Sequence, residues 1–259
     1  MPEVWRKAAE ADIGHIGMIG GFESYDQAFD RITRAAPSTS GRAKNQIPIS
    51  YTQNGTATVF ANGVAPFGLA VDSTGNLYDA DDSGNIYKFT PGGTRSTFAS
   101  GLNLPNGLAF DNAGNLFEGD SSGNIYKFTP GGARSTFASG LNTPFGLAFD
   151  RAGNLYAADD GTGFIYEYTP GGTRSTFASG LSFPAGLAFD SAGNLFEADN
   201  GSGNIYEFNS SGARSTFASG LSFPVCLAIE VQVQIIPEPS TWAMLGLGAA
   251  TLVIFRRRR

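Results

Sequence analysis

The tract Asp79-Ala80-Asp81-Asp82-Ser83-Gly84 sets carboxylates at alternate positions ahead of a glycine, the way a calcium loop begins. The acid that closes such a loop at its twelfth position is missing, because Thr90 stands there. Related positions recur as Glu118 and Asp120, Ala157 and Asp159, and Glu197 and Asp199. Two readings are open. Asp79, Asp81, Asp120, Asp159 and Asp199 are candidate ligands for calcium or another divalent cation, and metal-assisted hydrolysis would need three or four such oxygens to converge on one axis. The plainer reading is a hairpin turn in which each Asp accepts hydrogen bonds from its own backbone. No general base stands out beside these acids. The expectation is therefore no resident cofactor, with calcium as the candidate ion.

The remaining reactive groups are sparse. The sole histidine, His15, lies far from these tracts, so no Ser-His-Asp or Cys-His constellation can be assembled around them. One cysteine, Cys226, excludes an internal disulfide and a Cys-based zinc cluster. It reads as a small core residue rather than a nucleophile. Arg95, Arg134, Arg174 and Arg214 recur in register. They fit either a ligand-binding ring or pairing with the repeated carboxylates, and the pairing is expected. Each heads a Ser-Thr-Phe-Ala-Ser tract whose hydroxyls suit sugar or ice, or simply a solvated outer strand.

These groups are positioned by internal repeats. Pro66-Phe67-Gly68-Leu69-Ala70-Val71-Asp72 returns at residues 105–111, 144–150 and 184–190, and in degraded form at 224–230. The prolines are spaced 39, 39, 40 and 40 residues apart. Each unit reads as four short strands rich in aromatic, β-branched or aliphatic residues. Asp72-Ser73-Thr74-Gly75-Asn76 and Pro91-Gly92-Gly93 supply the turns between them. Four antiparallel strands in about 40 residues is the period of a propeller blade, and blades bury their faces only by stacking. The residue after each proline varies (Phe67, Asn106, Phe145, Ala185, Val225), and variation inside a constant frame is where a binding surface would differ.

Composition agrees with an all-β chain. Of 259 residues, 35 are glycine, 12% are aromatic and only 15% are charged, which argues against a helical bundle. The net charge is −6, and without the four terminal arginines the body is near −10. An acidic body disfavours nucleic acid, whose phosphates need Lys and Arg.

The pattern Pro-x-Gly-Leu-Ala-Phe-Asp-x-x-Gly-Asn-Leu-Tyr, followed by Ile-Tyr-x-Phe, resembles NHL-type propeller repeats over about residues 54–230. It is also similar to gluconolactonase and streptogramin-lyase-like propellers. The resemblance implies a rigid binding scaffold more often than an enzyme, and lyase-like activity would require a propeller histidine that this chain lacks. NHL-type propellers usually close with six blades. Here four clear blades and an incomplete fifth are expected. A leading strand near residues 56–61 and a trailing one near 227–236 are candidates to close the ring, the alternative being an open ring.

The C-terminus carries a second signal. Pro237-Glu238-Pro239-Ser240-Thr241-Trp242 leads into an apolar run ending at Phe255, then Arg256, Arg257, Arg258 and Arg259. Residues 242–255 would span about 21 Å as a helix, short of a hydrocarbon core near 30 Å. Arginine stems that snorkel absorb the mismatch. The expectation is a transmembrane helix contacting membrane lipid, its arginines held in the cytoplasm and the repeats on the other side. This tail resembles the PEP-CTERM protein-sorting domain of Gram-negative bacteria, also labelled an ice-binding protein C-terminal domain. The label describes the tail alone. The resemblance implies Sec export, a halt in the inner membrane, and action by an exosortase-type membrane protease near Pro237, Glu238 and Pro239. The protein would then reach the surface or the exopolysaccharide matrix.

The N-terminus does not match that route. Residues 1–50 hold one apolar stretch, 13–22, interrupted by His15 and preceded by Glu10 and Asp12. A misassigned start or a rearranged gene is the expectation, which an upstream in-frame signal sequence would support. A short helix over 25–35 and a linker are expected there. The chain thus divides into 1–50 of unknown role, repeats over 51–236 and a sorting anchor over 237–259. The function expected is a non-enzymatic exported module that binds an exopolysaccharide or a partner protein. The alternative is a metal-dependent lactonase-like hydrolase.

Overall fold

The computed structural model describes residues 49–51, 57–59 and 66–227. Within them, each 40-residue repeat folds as predicted into one four-stranded antiparallel meander. Blade 1 is β3 (Pro66–Val71), β4 (Leu77–Asp81), β5 (Asn85–Phe89) and β6 (Arg95–Ala99). Blade 2 is β7 (Pro105–Phe110), β8 (Leu116–Asp120), β9 (Ile125–Phe128) and β10 (Arg134–Ala138). Blade 3 is β11 (Pro144–Phe149), β12 (Leu155–Asp159), β13 (Phe164–Tyr168) and β14 (Arg174–Ala178). Blade 4 is β15 (Pro184–Phe189), β16 (Leu195–Asp199), β17 (Asn204–Phe208) and β18 (Arg214–Ala218). The architecture is an all-β propeller.

Turn chemistry fixes the meanders. Asp72 accepts hydrogen bonds from the Thr74 and Asn76 backbone N–H groups, each at 2.9 Å, around Gly75 at φ 82°. That is an Asx turn with the glycine supplying the left-handed position. Asp111, Asp150 and Asp190 repeat the bond to the asparagine four residues on.

The core lies between blades. Tyr78, Ala80 and Ile86 of blade 1 pack on Leu108, Leu116 and Phe128 of blade 2. Equivalent clusters join blades 2 and 3 and blades 3 and 4. Tyr78 sits edge-on between Phe98 of its own blade and Phe110 of the next, with both centroids at 5.0 Å. Phe117 and Tyr156 repeat the arrangement. Such pairs add about 0.5–1.5 kcal/mol each beyond burial.

The inner strands β3, β7, β11 and β15 lie side by side with their backbones almost touching. A Cβ on Gly107 would stand 2.0 Å from the Phe145 carbonyl oxygen of the next blade, and one on Gly146 would stand 1.9 Å from that of Ala185. Only glycine fits there. In the fifth repeat Cys226 takes this position; the residue as a whole is exposed, while burial around its thiol pushes it up to about 11.

The leading strand takes a different partner from those weighed in the sequence. β2 (Ala57–Val59) pairs antiparallel with β1 (Ile49–Tyr51), Ile49 opposite Val59. The trailing segment at 228–236, the helix at 25–35 and the apolar run at 242–255 lie outside the described residues. Among the described residues no helix is long and apolar enough to cross a membrane.

Candidate functional site

Each inner strand begins opposite the end of the second strand: Pro66 faces Asp81, Pro105 faces Asp120, Pro144 faces Asp159 and Pro184 faces Asp199. This register brings the blade-linking loops and the turns between second and third strands to one end of the propeller. The repeated aspartates stand where the two meet.

Their oxygens are engaged in bracing these loops. Asp81 accepts from the Ser83 N–H at 2.8 Å and from the Ser83 hydroxyl. Asp120 accepts from Ser122 N–H at 3.0 Å and from Asn103 N–H at 3.4 Å. Asp159 accepts from Asn142 N–H at 2.8 Å and from the Thr162 hydroxyl at 2.9 Å. Asp199 accepts from Ser182 N–H at 2.7 Å and Ser202 N–H at 2.9 Å. In blades 2, 3 and 4 one carboxylate thus ties the turn of its own blade to the loop that enters it. The hairpin reading of these residues matches this geometry. Among the described residues no three His, Cys, Asp or Glu side chains gather as a metal site.

The braces hold an unusual backbone. Leu104, Thr143, Phe183 and Phe223 have φ of 48°, 68°, 56° and 49°, and each directly precedes a repeat proline. Proline drives the residue before it toward extended conformations, and a bulky side chain resists the left-handed region. Each such residue stores on the order of 1–3 kcal/mol of strain. Hydrogen bonds to their carbonyls, two from backbone N–H groups and one from a hydroxyl, hold three of them in place. Asp160 N–H donates to the Thr143 carbonyl at 3.1 Å and Asn200 N–H to that of Phe183 at 3.2 Å. The Ser121 hydroxyl donates to the Leu104 carbonyl at 3.3 Å. The result is apolar side chains held out in solvent: Leu104 is 48% exposed, Phe183 57% and Phe223 73%.

In the sequence the residue after each proline was singled out, and not these residues before it. At the position after the proline, Asn106 and Ala185 are buried. The backbone carbonyls at this position abut the glycines of the preceding blade whatever the side chain. The missed signal was a large apolar residue, rather than glycine, between a loop and a proline.

Asp79, Glu118 and Glu197 belong to a different environment. They are fully buried in the second strands, and neither oxygen of any of them has a hydrogen-bond partner. Glu118 stands opposite Leu108, and so faces the junction with blade 1. Burial, reinforced by Asp81, pushes Asp79 up to about 7. Burial, reinforced by Asp120, pushes Glu118 up to about 9 against an opposing pull from Arg134. Burial and Asp199 raise Glu197 to about 8, with Arg214 and the nearby Ala185 backbone N–H, which lies outside good hydrogen-bond geometry, opposing. Glu118 and Glu197 are therefore neutral acids at pH 7.

Among the described residues the repeated arginines do not make the inter-blade carboxylate pairs expected of them. Arg95, Arg134, Arg174 and Arg214 lie over the rings of Tyr87, Tyr126, Tyr166 and Tyr206 on the adjacent strand, at 4.9, 5.1, 4.9 and 4.8 Å. The reason is register: arginine and tyrosine share one face of neighbouring strands, and the flat guanidinium covers the ring. Lysines make the ion pairs seen in blades 1 and 2, Lys88 with Asp72 at 3.9 Å and Lys127 with Asp111 at 3.7 Å. The outer Arg-Ser-Thr stretches of β6, β10, β14 and β18 are exposed. His15, the sorting residues Pro237, Glu238 and Pro239, and Arg256, Arg257, Arg258 and Arg259 lie outside the described residues.

Residues 236–259 match the PEP-CTERM protein-sorting motif, which implies export and processing by an exosortase, a membrane protease. No curated protein matches the chain in sequence. Solved propellers match its fold. A chain of the nidogen/laminin complex aligns at 28% identity and TM-score 0.61, over 66% of this chain and 71% of that one. A gluconolactonase from Xanthomonas campestris aligns at 21% identity and TM-score 0.60, over 69% and 70%. A streptogramin B lyase aligns at 15% identity and TM-score 0.61, over 71% of this chain and 65% of the lyase, less than two thirds of its length. The chain is thus a β-propeller that carries a PEP-CTERM sorting motif at residues 236–259.

Proposed function

We propose that this chain is a non-enzymatic binding module, anchored by its tail and then released to the cell surface, and that the loop-bearing end of the propeller is its ligand face. One observation carries the reading. At that end the repeated aspartates are engaged as braces, and what the braces hold out to solvent is a set of strained, apolar side chains at Leu104 and Phe183. Backbone strain of this kind clusters at ligand clamps and binding sites, and here it recurs at the same loop position of successive blades.

Fractionating the source cells and mapping both chain ends by mass spectrometry tests the export half. The expected mature protein lies outside the inner membrane and ends near Pro237-Glu238-Pro239. A chain found intact to Arg259 in the cytoplasm would overturn it. The binding half is tested by assaying lactone and ester turnover with added calcium. No turnover is expected, and calcium-dependent turnover would replace the binding module with a metal-dependent hydrolase.

A further inference from the structure

We infer that Leu104, Phe183 and Phe223, the apolar three of the four residues that precede a repeat proline in left-handed backbone, form a stepped platform for an uncharged polysaccharide chain. This rests on the binding-module reading and names its ligand class.

Charge is the first argument. The loops and turns at this end, residues 81–85, 99–104, 120–124, 138–143, 159–163, 178–183, 199–203 and 218–223, contain no Lys, Arg or His. They do contain Asp82, which is exposed, and Asp160, which is half-buried. One guanidinium reaches these loops from outside them, Arg134 donating to the Gly101 carbonyl at 3.4 Å, but the loops' own charges are all acidic and disfavour an anionic glycan, a nucleic acid or an anionic membrane.

Spacing is the second. A protein partner is gripped by a contiguous apolar centre closed off from water. Here each apolar side chain stands alone and follows a polar one: Asn103 before Leu104, Ser182 before Phe183, Ser222 before Phe223. These polar neighbours are exposed. An alternation of apolar face and hydrogen-bonding group, repeated at these three positions, suits a ligand with the same alternation. A sugar ring has an apolar face of C–H groups and a rim of hydroxyls.

Rigidity is the third. Leu104 and Phe183, held by braced loops, lose little freedom on binding, which favours a ligand offering small contacts spread over a length. At Thr143 the series is interrupted by a short polar residue in the same left-handed backbone.

The test is affinity electrophoresis of the detergent-solubilised full chain through gels containing a neutral β-glucan, a galactomannan, dextran or polygalacturonate. Retardation by at least one uncharged glycan and none by polygalacturonate is expected. The triple variant Leu104→Ser/Phe183→Ser/Phe223→Ser should lose at least about tenfold in affinity while its melting temperature holds. Phe223→Ser alone should lose several-fold, and it alters no blade core. Thr143→Phe should gain several-fold by completing the series, which no loss of folding can mimic. Stronger retardation by polygalacturonate, none by any uncharged glycan, or no response to the variants would overturn the inference. These outcomes are independent of the export result: binding by a chain that stays in the cytoplasm would leave the platform standing and remove only its setting.

Discussion

The junction between blades 2 and 3 differs from those on either side in its second-strand residues: it has Gly119 where they have Ala80 and Ala158, and it lacks an acid. Blade 2 offers Glu118 to its neighbour and blade 4 offers Glu197, both buried and without hydrogen-bond partners, whereas blade 3 has Ala157. The strands pair in the same register in all three, Glu118 opposite Tyr126, Ala157 opposite Tyr166 and Glu197 opposite Tyr206. An acid is therefore dispensable for the fold at this point. It costs stability, because a buried carboxyl with no partner loses its hydration and gains nothing in exchange.

The sharpest way to break this comparison is to make blade 3 like its neighbours. Ala157→Glu should lower stability by about 3 kcal/mol at pH 7, and Glu118→Leu should raise it by about 1–3 kcal/mol. Urea denaturation of both variants measures this. Equal stability of Ala157→Glu and the parent chain would mean that the junctions supply partners the structure does not contain.

A second effect separates the junctions by pH. Glu118 and Glu197 hold their protons more tightly folded than unfolded, so the folded state binds more protons between about pH 4.5 and 9. Their contribution is full below about 4.5 and is lost as pH rises through 8 and 9. At the acid end the sign reverses. Burial raises the Asp72 carboxyl, but bonds from Asn76 and Thr74 more than offset it and bring it to about 2. Its contribution is present above 3.8 and is lost as pH falls through 2. The melting temperature should therefore peak near pH 4–5 and decline toward pH 9. The double variant Glu118→Gln/Glu197→Gln should flatten that decline. A wild-type profile that rises toward pH 9 would contradict the neutral-acid assignment.

The smallest effect contrasts the junctions with the loops above them. At the junctions a side chain is costly, and in the loops the backbone is. Phe183→Gly relieves the left-handed strain at φ 56° and should raise stability by about 0.5–1 kcal/mol, with the glycine's greater unfolded freedom limiting the gain. Thermal melts of the variant measure it. A loss would show that the exposed ring contributes packing that its 57% exposure does not suggest.

Much of the fold was legible because it repeats. A turn such as Asp72 to Asn76 is decided by residues within four positions of each other, so local chemistry names it. The aspartates were legible in the same way, and Asp81 bonds Ser83 two residues on. Their bonds to Asn103, Asn142 and Ser182 were not, since each spans 17 residues of chain. The stacking of arginine on tyrosine also escaped, because it depends on which residues of adjacent strands share a face.

By itself the sequence determined the blade period, the four strands in each blade, the turn residues and the sorting signal at residues 236–259, all features carried by neighbours along the chain. Only the tertiary structure decided that Glu118 and Glu197 are buried without partners, that Gly107 and Gly146 must lack a side chain, and that Phe183 stands in solvent with a strained backbone. Burial, close approach and strain are properties of a blade set against the next one. They are settled by the distance between chains of atoms that the sequence separates by 17 to 40 residues.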